Sequence, residues 1–142
     1  AEAPEPAEAR AAPSGGVSLT RTELAKAAGL DEAQVADLES FALVTPSTGS
    51  GEHVLFDEEA LAVARIAAGF ARHGIEARHL RMYKHFAERE ASLFQQVLLP
   101  YMRQRNPDAR VKAKEQLADL ARLGRGLRAA LLVDAAREAL GD

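Results

Sequence analysis

Three histidines, His73, His79 and His85, fall six residues apart, and imidazoles at a repeated spacing are the first groups in this chain to test as metal ligands. A step of six turns a helix through about 240°, so consecutive members face different sides, whereas ligands carried on one helix come at steps of three or four. The spacing therefore argues against a metal centre, and with no cysteine the chain lacks thiolate ligands, disulfides and a sulfur nucleophile. Carboxylate pairs such as Glu58-Glu59 and Glu88 with Glu90 fall at helix starts or near arginines, where they complement a helix dipole or pair with a cation. No Ser/His/Asp order, phosphate-cradling glycine loop or nucleophile elbow is present. The residues predict no enzyme, no metal and no cofactor.

What remains is the chemistry of recognition. Tyr83, Phe86, Phe94 and Tyr101, with Met82 and Met102 beside them, hold most of the aromatic and thioether surface beyond the first eighty residues. Such a stripe is expected first to pack a core, with a pocket for a bound molecule as the alternative. Arg72, Arg78, Arg81, Lys84, Arg89, Arg103, Arg105, Arg110, Lys112 and Lys114 make a cationic stretch. It has no groove-reading motif and is interleaved with Glu76, Glu88, Glu90 and Asp108, so a solvated face, or a partner for an acidic surface, is expected before direct DNA contact. An acidic surface lies upstream: the net charge of −3 hides −7 over residues 17–64 and +7 over residues 65–114.

The elements that carry these groups are legible from caps and spacing. Thr20 with Glu23 three residues on is a capping box, and Leu24, Ala25 and Ala28 follow at helical spacing until Gly29, predicting a helix over 21–28. Asp31 caps a second helix with Val35, Leu38 and Phe41 or Ala42 on one face, and the tight Gly29-Leu30 turn makes the pair a helix-turn-helix. Leu43 to Pro46 then reads as extended, Ser47 to Gly51 as a loop, and His53 to Phe56 as the short strand of a wing. Asp57 caps a third helix bearing Leu61, Ala64, Ile66, Ala68 and Phe70, which His73-Gly74 ends. A long amphipathic helix begins near Glu76 and runs through Tyr101, with a kink or restart expected at Pro100. Asn106-Pro107-Asp108 is a break. In the last helix Ala113, Leu117, Leu120, Gly124, Leu127, Leu131 and Ala135 recur at steps of three and four, a coiled-coil-like seam. Gly124 and Gly126 each cost a helix roughly 1 kcal/mol relative to Ala, which suggests close approach by another backbone or a kink.

The predicted class is therefore mainly α: a degenerate winged helix-turn-helix with a small β wing, followed by long amphipathic, coiled-coil-like helices. At 142 residues and 47% hydrophobic, the chain can build a small head with a helical extension. Residues 1–16, AEAPEPAEARAAPSGG, cannot bury enough apolar surface to order themselves. They read as an inter-domain linker of a longer protein, or alternatively as a natural disordered N-terminus. Residues 17–81 then form the head and residues 82–142 a helical dimerisation and effector region. With no run of 18 apolar residues and no signal-peptide pattern at its start, the chain is expected to be soluble and cytoplasmic, with no membrane partner.

Leu19-Thr20, Glu23-Leu24-Ala25, Gly29-Leu30, Val35, Leu38-Glu39, Leu43-Val44, Pro46, Phe56, Leu61, Ile66, Gly74-Ile75 and His79-Leu80-Arg81 resemble the MerR family of bacterial transcription regulators. The likeness covers about 65 of the 142 residues, mostly apolar and turn positions, and so speaks for a fold more than an activity. The departures fall where that family touches DNA. Its second helix usually carries an Arg-aromatic-Tyr-Glu run, where this chain has Ala36, Asp37, Leu38 and Glu39. The wing's Tyr-Arg-Arg-Tyr is replaced by His53, Val54, Leu55 and Phe56. Between residues 20 and 57 only Arg21 and Lys26 are basic against seven acidic residues, and affinity for a duplex comes largely from cations that displace its counterions. No DNA-binding residue is therefore expected in this chain. Gly74-Ile75-Glu76-Ala77-Arg78-His79-Leu80-Arg81 and Arg103-Gln104-Arg105-Asn106-Pro107 are similar to the C-terminal half of actinobacterial cell-division regulators of the FtsR type.

The resemblance implies a homodimerising, effector-sensing half of a MerR-like regulator whose promoter DNA is held by an N-terminal domain absent from this chain. Leu117, Leu120, Gly124, Leu127 and Leu131 are the expected dimer interface; Tyr83, Phe86, Phe94 and Tyr101 would meet a small-molecule or protein effector. Two alternatives stand beside it: a protein-protein adaptor whose winged helix docks a transcription or cell-division partner, and direct DNA binding through the basic helices.

Overall fold

The computed structural model describes residues 16–141, so all of the expected linker except Gly16 lies outside the described residues. Five helices follow in order: α1 (Arg21–Ala28), α2 (Glu32–Ser40), α3 (Glu58–Ala71), α4 (Ala77–Met102) and α5 (Pro107–Leu140). The chain divides into a first unit ending at His85 and a second beginning at Phe86.

In the first unit the helix starts are set by local capping. The Thr20 hydroxyl accepts from the Glu23 backbone N–H at 3.2 Å and the Glu23 carboxylate accepts from the Thr20 N–H at 3.2 Å, a reciprocal box that satisfies two orphan donors. Asp31 and Gln34 repeat the arrangement at α2, and Asp57 accepts from the Ala60 N–H at 3.0 Å at α3. Between α1 and α2, Gly29 at φ +77° ends the first helix in the left-handed conformation that an L side chain resists. The helix-turn-helix pair then closes over a core in which Leu24, Val35 and Phe56 are fully buried. Ala60, Ala64 and Ala67 give α3 a thin buried edge against this core. Ile66, expected on that edge, is instead exposed, because the buried spacing on α3 is 60, 64, 67 and turns Ile66 away.

The strand expected for a β wing is not formed. A 3₁₀ turn takes up Gly51–His53, and only Leu55 and Phe56 pair, as single antiparallel bridges to Thr48 and Leu19. Neither bridge can lengthen into a ladder. On one side the partner segment reaches Pro46, which has no N–H to donate; on the other, Thr20 starts α1 at once. What survives of the strand pattern is its alternation, with Val54 and Phe56 buried and Leu55 between them less so.

In the second unit α4 continues past Pro100 to Met102 without the expected restart. The lost backbone bond falls within the last turn, where little helix remains to be disturbed. Asn106 caps α5, accepting from the Ala109 N–H at 2.8 Å, and Pro107 sits at the first turn, where its missing N–H costs nothing. Two contacts fix the antiparallel register: the Glu90 carboxylate lies over Gly124, and the Arg128 guanidinium lies 5.5 Å from the Phe86 ring centre. Each helix advances four residues between them, in opposite directions. Leu98 of α4 and Ala109 of α5 are buried toward the turn between the two helices. α5 does not break at its glycines. What comes close to Gly124 is a side chain of its own unit rather than another backbone, and nothing lies near Gly126.

Two substitutions test this account. A Cβ on Gly49, at φ +82°, would stand 2.1 Å from the His53 carbonyl oxygen, so Gly49→Ala is expected to lose about 2 kcal/mol or more in chemical denaturation. A Cβ on Gly124 meets only the end of Glu90, which can swing aside. Helix propensity then decides, and Gly124→Ala is expected to stabilise by about 0.5 kcal/mol.

Candidate functional site

The surface that a helix-turn-helix offers to a duplex is the outward side of α2. Val35 and Leu38 turn inward, leaving Ala33, Ala36, Asp37 and Ser40 exposed, and α2 carries no basic residue. Of the run at 36–39, Leu38 belongs to the core and Glu39 is engaged elsewhere. Its carboxylate takes both arms of Arg21, Nε at 2.7 Å and Nη2 at 2.8 Å, in a half-buried fork that ties the start of α1 to the end of α2. The hydrogen bond to Glu39 holds the Arg21 guanidinium above its ordinary pKa, burial opposes the shift, and the charges of Glu39, Glu32 and Glu52 add to it. One of the two cations between residues 20 and 57 is thus committed within the fold; Lys26 is exposed on α1. The face has hydroxyl, methyl and carboxylate groups, and such a set repels phosphate.

Two of the head's clefts differ in chemistry. The first, about 220 Å³, has an apolar floor of Leu30, Leu38, Ala67, Ala71 and Ile75, with Gln34, Asp37 and Glu76 as polar lining. The second, about 210 Å³, lies at the end of α2 against Arg81, Lys84 and His85, with the Arg81 guanidinium 5.3 Å from the Phe41 ring centre. The cations there also complement the carbonyl end of α2. The three histidines do different things: His79 Nδ1 accepts the Glu76 N–H at 2.9 Å and so caps α4, His85 lines the second cleft, and His73 lies exposed in the turn after α3.

The four candidate effector residues do not share one environment. Tyr83 belongs to the first unit and packs at 5.7 Å on Phe70. In the second unit Phe86 lies under Arg128, while Phe94 and Tyr101 are half-buried toward α5. None of the four lines either of these clefts. The expected interface residues divide in the same way. Leu120 and Gly124 are half-buried, Gly124 against Glu90, whereas Leu117, Leu127 and Leu131 are exposed. Beyond Arg128, α5 outruns the part of α4 in its own unit, and every described residue from Arg125 on is exposed. Leu132, Val133 and Leu140 belong to this apolar length and were not singled out by the seam. A signal was present: three successive apolar residues, Leu131-Leu132-Val133, spread over about 200° of a helix, which one seam cannot cover. The apolar cleft was also missed, and the alanines of α3 that open it were its trace.

No helix of the described residues is long and apolar enough to cross a membrane. Residues 17–140 match the family described as "Rv1828-like, C-terminal domain". Among curated proteins, the chain is 32% identical over 127 residues to the HTH-type transcriptional regulators Rv1828 of Mycobacterium tuberculosis and Mb1859 of Mycobacterium bovis. The alignment covers 87% of this chain and 51% of each relative, so the chain spans about half the length of the regulators it matches. With the match running from two residues before the first bridge to the end of α5, the chain belongs to the family of Rv1828-like C-terminal domains.

Proposed function

We propose that the chain is the dimerisation and effector-sensing domain of a MerR-family transcription regulator, akin to those of the FtsR type, in which a separate N-terminal domain contacts promoter DNA. The observation that carries the reading is the uncovered apolar length of α5, where Leu127, Leu131 and Leu132 are 63%, 59% and 65% exposed. Contiguous large apolar side chains of this kind mark a surface that another molecule covers. A second copy is the simplest cover, because a two-fold axis sets the same row against itself and spaces two DNA-contacting domains on a pseudo-palindromic operator. The relatives are named as regulators and are about twice as long as the matched span, which leaves length for such a domain. The cation-poor face of α2 is the reason one is needed. Effector sensing is assigned to the aromatic side of α4, at Tyr83, Phe86, Phe94 and Tyr101. The domain carries out no catalysis and works in the cytoplasm.

The parent chain is expected to sediment as a dimer, and Leu127→Glu combined with Leu131→Glu as a monomer. Four leucines per dimer, each worth about 1.5 kcal/mol or more on burial, correspond to a dissociation constant raised at least about ten-thousand-fold. An unchanged dimer would move the interface away from α5.

A further inference from the structure

The first cleft of the head is apolar with an acidic edge, and the turn between α4 and α5 pairs an exposed methionine with two arginines. The cleft is apolar at its floor and has two carboxylates, Asp37 and Glu76, at its exposed edge. Glu76 also faces Arg78 at 3.1 Å, but that pair is two-thirds exposed on both sides and holds little energy of its own, so the carboxylate can take a second cation. At the other end of the sequence, the tip of the second unit presents Met102, 58% exposed, followed by exposed Arg103, Gln104 and Arg105. A flexible thioether is the side chain best suited to an irregular apolar hole, and at about 220 Å³ the cleft has room for one large side chain. The cleft's two carboxylates, Asp37 and Glu76, and the tip's two guanidinium groups, Arg103 and Arg105, carry opposite charge.

We propose that this cleft receives the hairpin tip of a second copy, with Met102 entering the apolar floor and Arg103 and Arg105 meeting Asp37 and Glu76. The contact makes no use of the apolar length of α5, but one thioether and two exposed ion pairs are too little to hold a dimer alone, so it rests on the pairing proposed there. In a two-fold arrangement it forms twice, since each copy offers both a cleft and a tip. Opposite charge steers the approach and fixes the register, while the thioether supplies the buried area.

The chain has no cysteine of its own, so a single engineered thiol per copy gives an unambiguous readout. Full-length Gln34→Cys chain, at the cleft, is mixed under mild oxidation with a differently tagged Gln104→Cys chain, at the tip. Both substitutions leave the charges unchanged. A disulfide joining the two tags is expected. Its yield should fall at least about tenfold when Asp37→Arg and Glu76→Arg are added to the first chain, because like charges then face each other, and should return when the second chain also carries Arg103→Glu and Arg105→Glu. Absence of the mixed disulfide, or a yield indifferent to both charge reversals, overturns the proposal. So does a chain carrying both thiols that links only within itself. Any of these results leaves the sedimentation of the Leu127→Glu, Leu131→Glu chain free to decide the α5 pairing separately.

Discussion

Everything that this head can do is limited by its supply of positive charge. A helix-turn-helix holds a duplex because lysines and arginines displace the counterions of the phosphates, each contact adding to affinity and to its dependence on salt. Here the outward face of α2 has no cation. Arg21, which could have supplied one, is folded back onto Glu39 as part of the clamp between the two helices. The same residues that keep the helix pair in shape therefore keep it from gripping a polyanion, and the shape is left available for other contacts.

The second constraint is hydrophobic. A head of this size buries its own core with Leu24, Val35, Phe56 and a row of alanines, but α5 is 34 residues long and its partner within the second unit ends far short of it. Apolar side chains left in water along half of a helix are costly unless covered. Glu90 over Gly124 and Arg128 over Phe86 mark how far the intramolecular covering extends; past that point Leu127, Leu131 and Leu132 are exposed. A cation-free outward face on α2 and an exposed apolar length on α5 occur in one chain, whose relatives are named as transcription regulators and are about twice as long as the matched region.

Much of the fold was legible in the sequence because capping is local. Thr20 with Glu23, Asp31 and Asp57 each announce a helix within four residues, and the structure places every one of them as a cap; Asn106, read only as part of a break, caps α5 as well. The wing was not legible in the same way. Val54 and Phe56 alternate as a strand would, but whether a ladder forms depends on distant partners, and Pro46 and the start of α1 deny it length. Spacing on α5 revealed a seam but could not reveal who covers it. Register with α4 is a tertiary fact, and it assigns Gly124 to an intramolecular contact while leaving Leu127 and Leu131 outside. The aromatic stripe shows the same limit: helical spacing placed Tyr83 and Phe94 on one element, whereas packing gave them different neighbours.

The account rests most heavily on the claim that this chain does not hold DNA, and titration of a fluorescent duplex with the chain at low and at physiological salt tests it directly. The predicted result is association no tighter than about 10⁻⁴ M at physiological salt, the weak end of non-specific binding. Micromolar or tighter binding that falls steeply as salt is added would contradict it, and would return the head or the basic helices to the duplex.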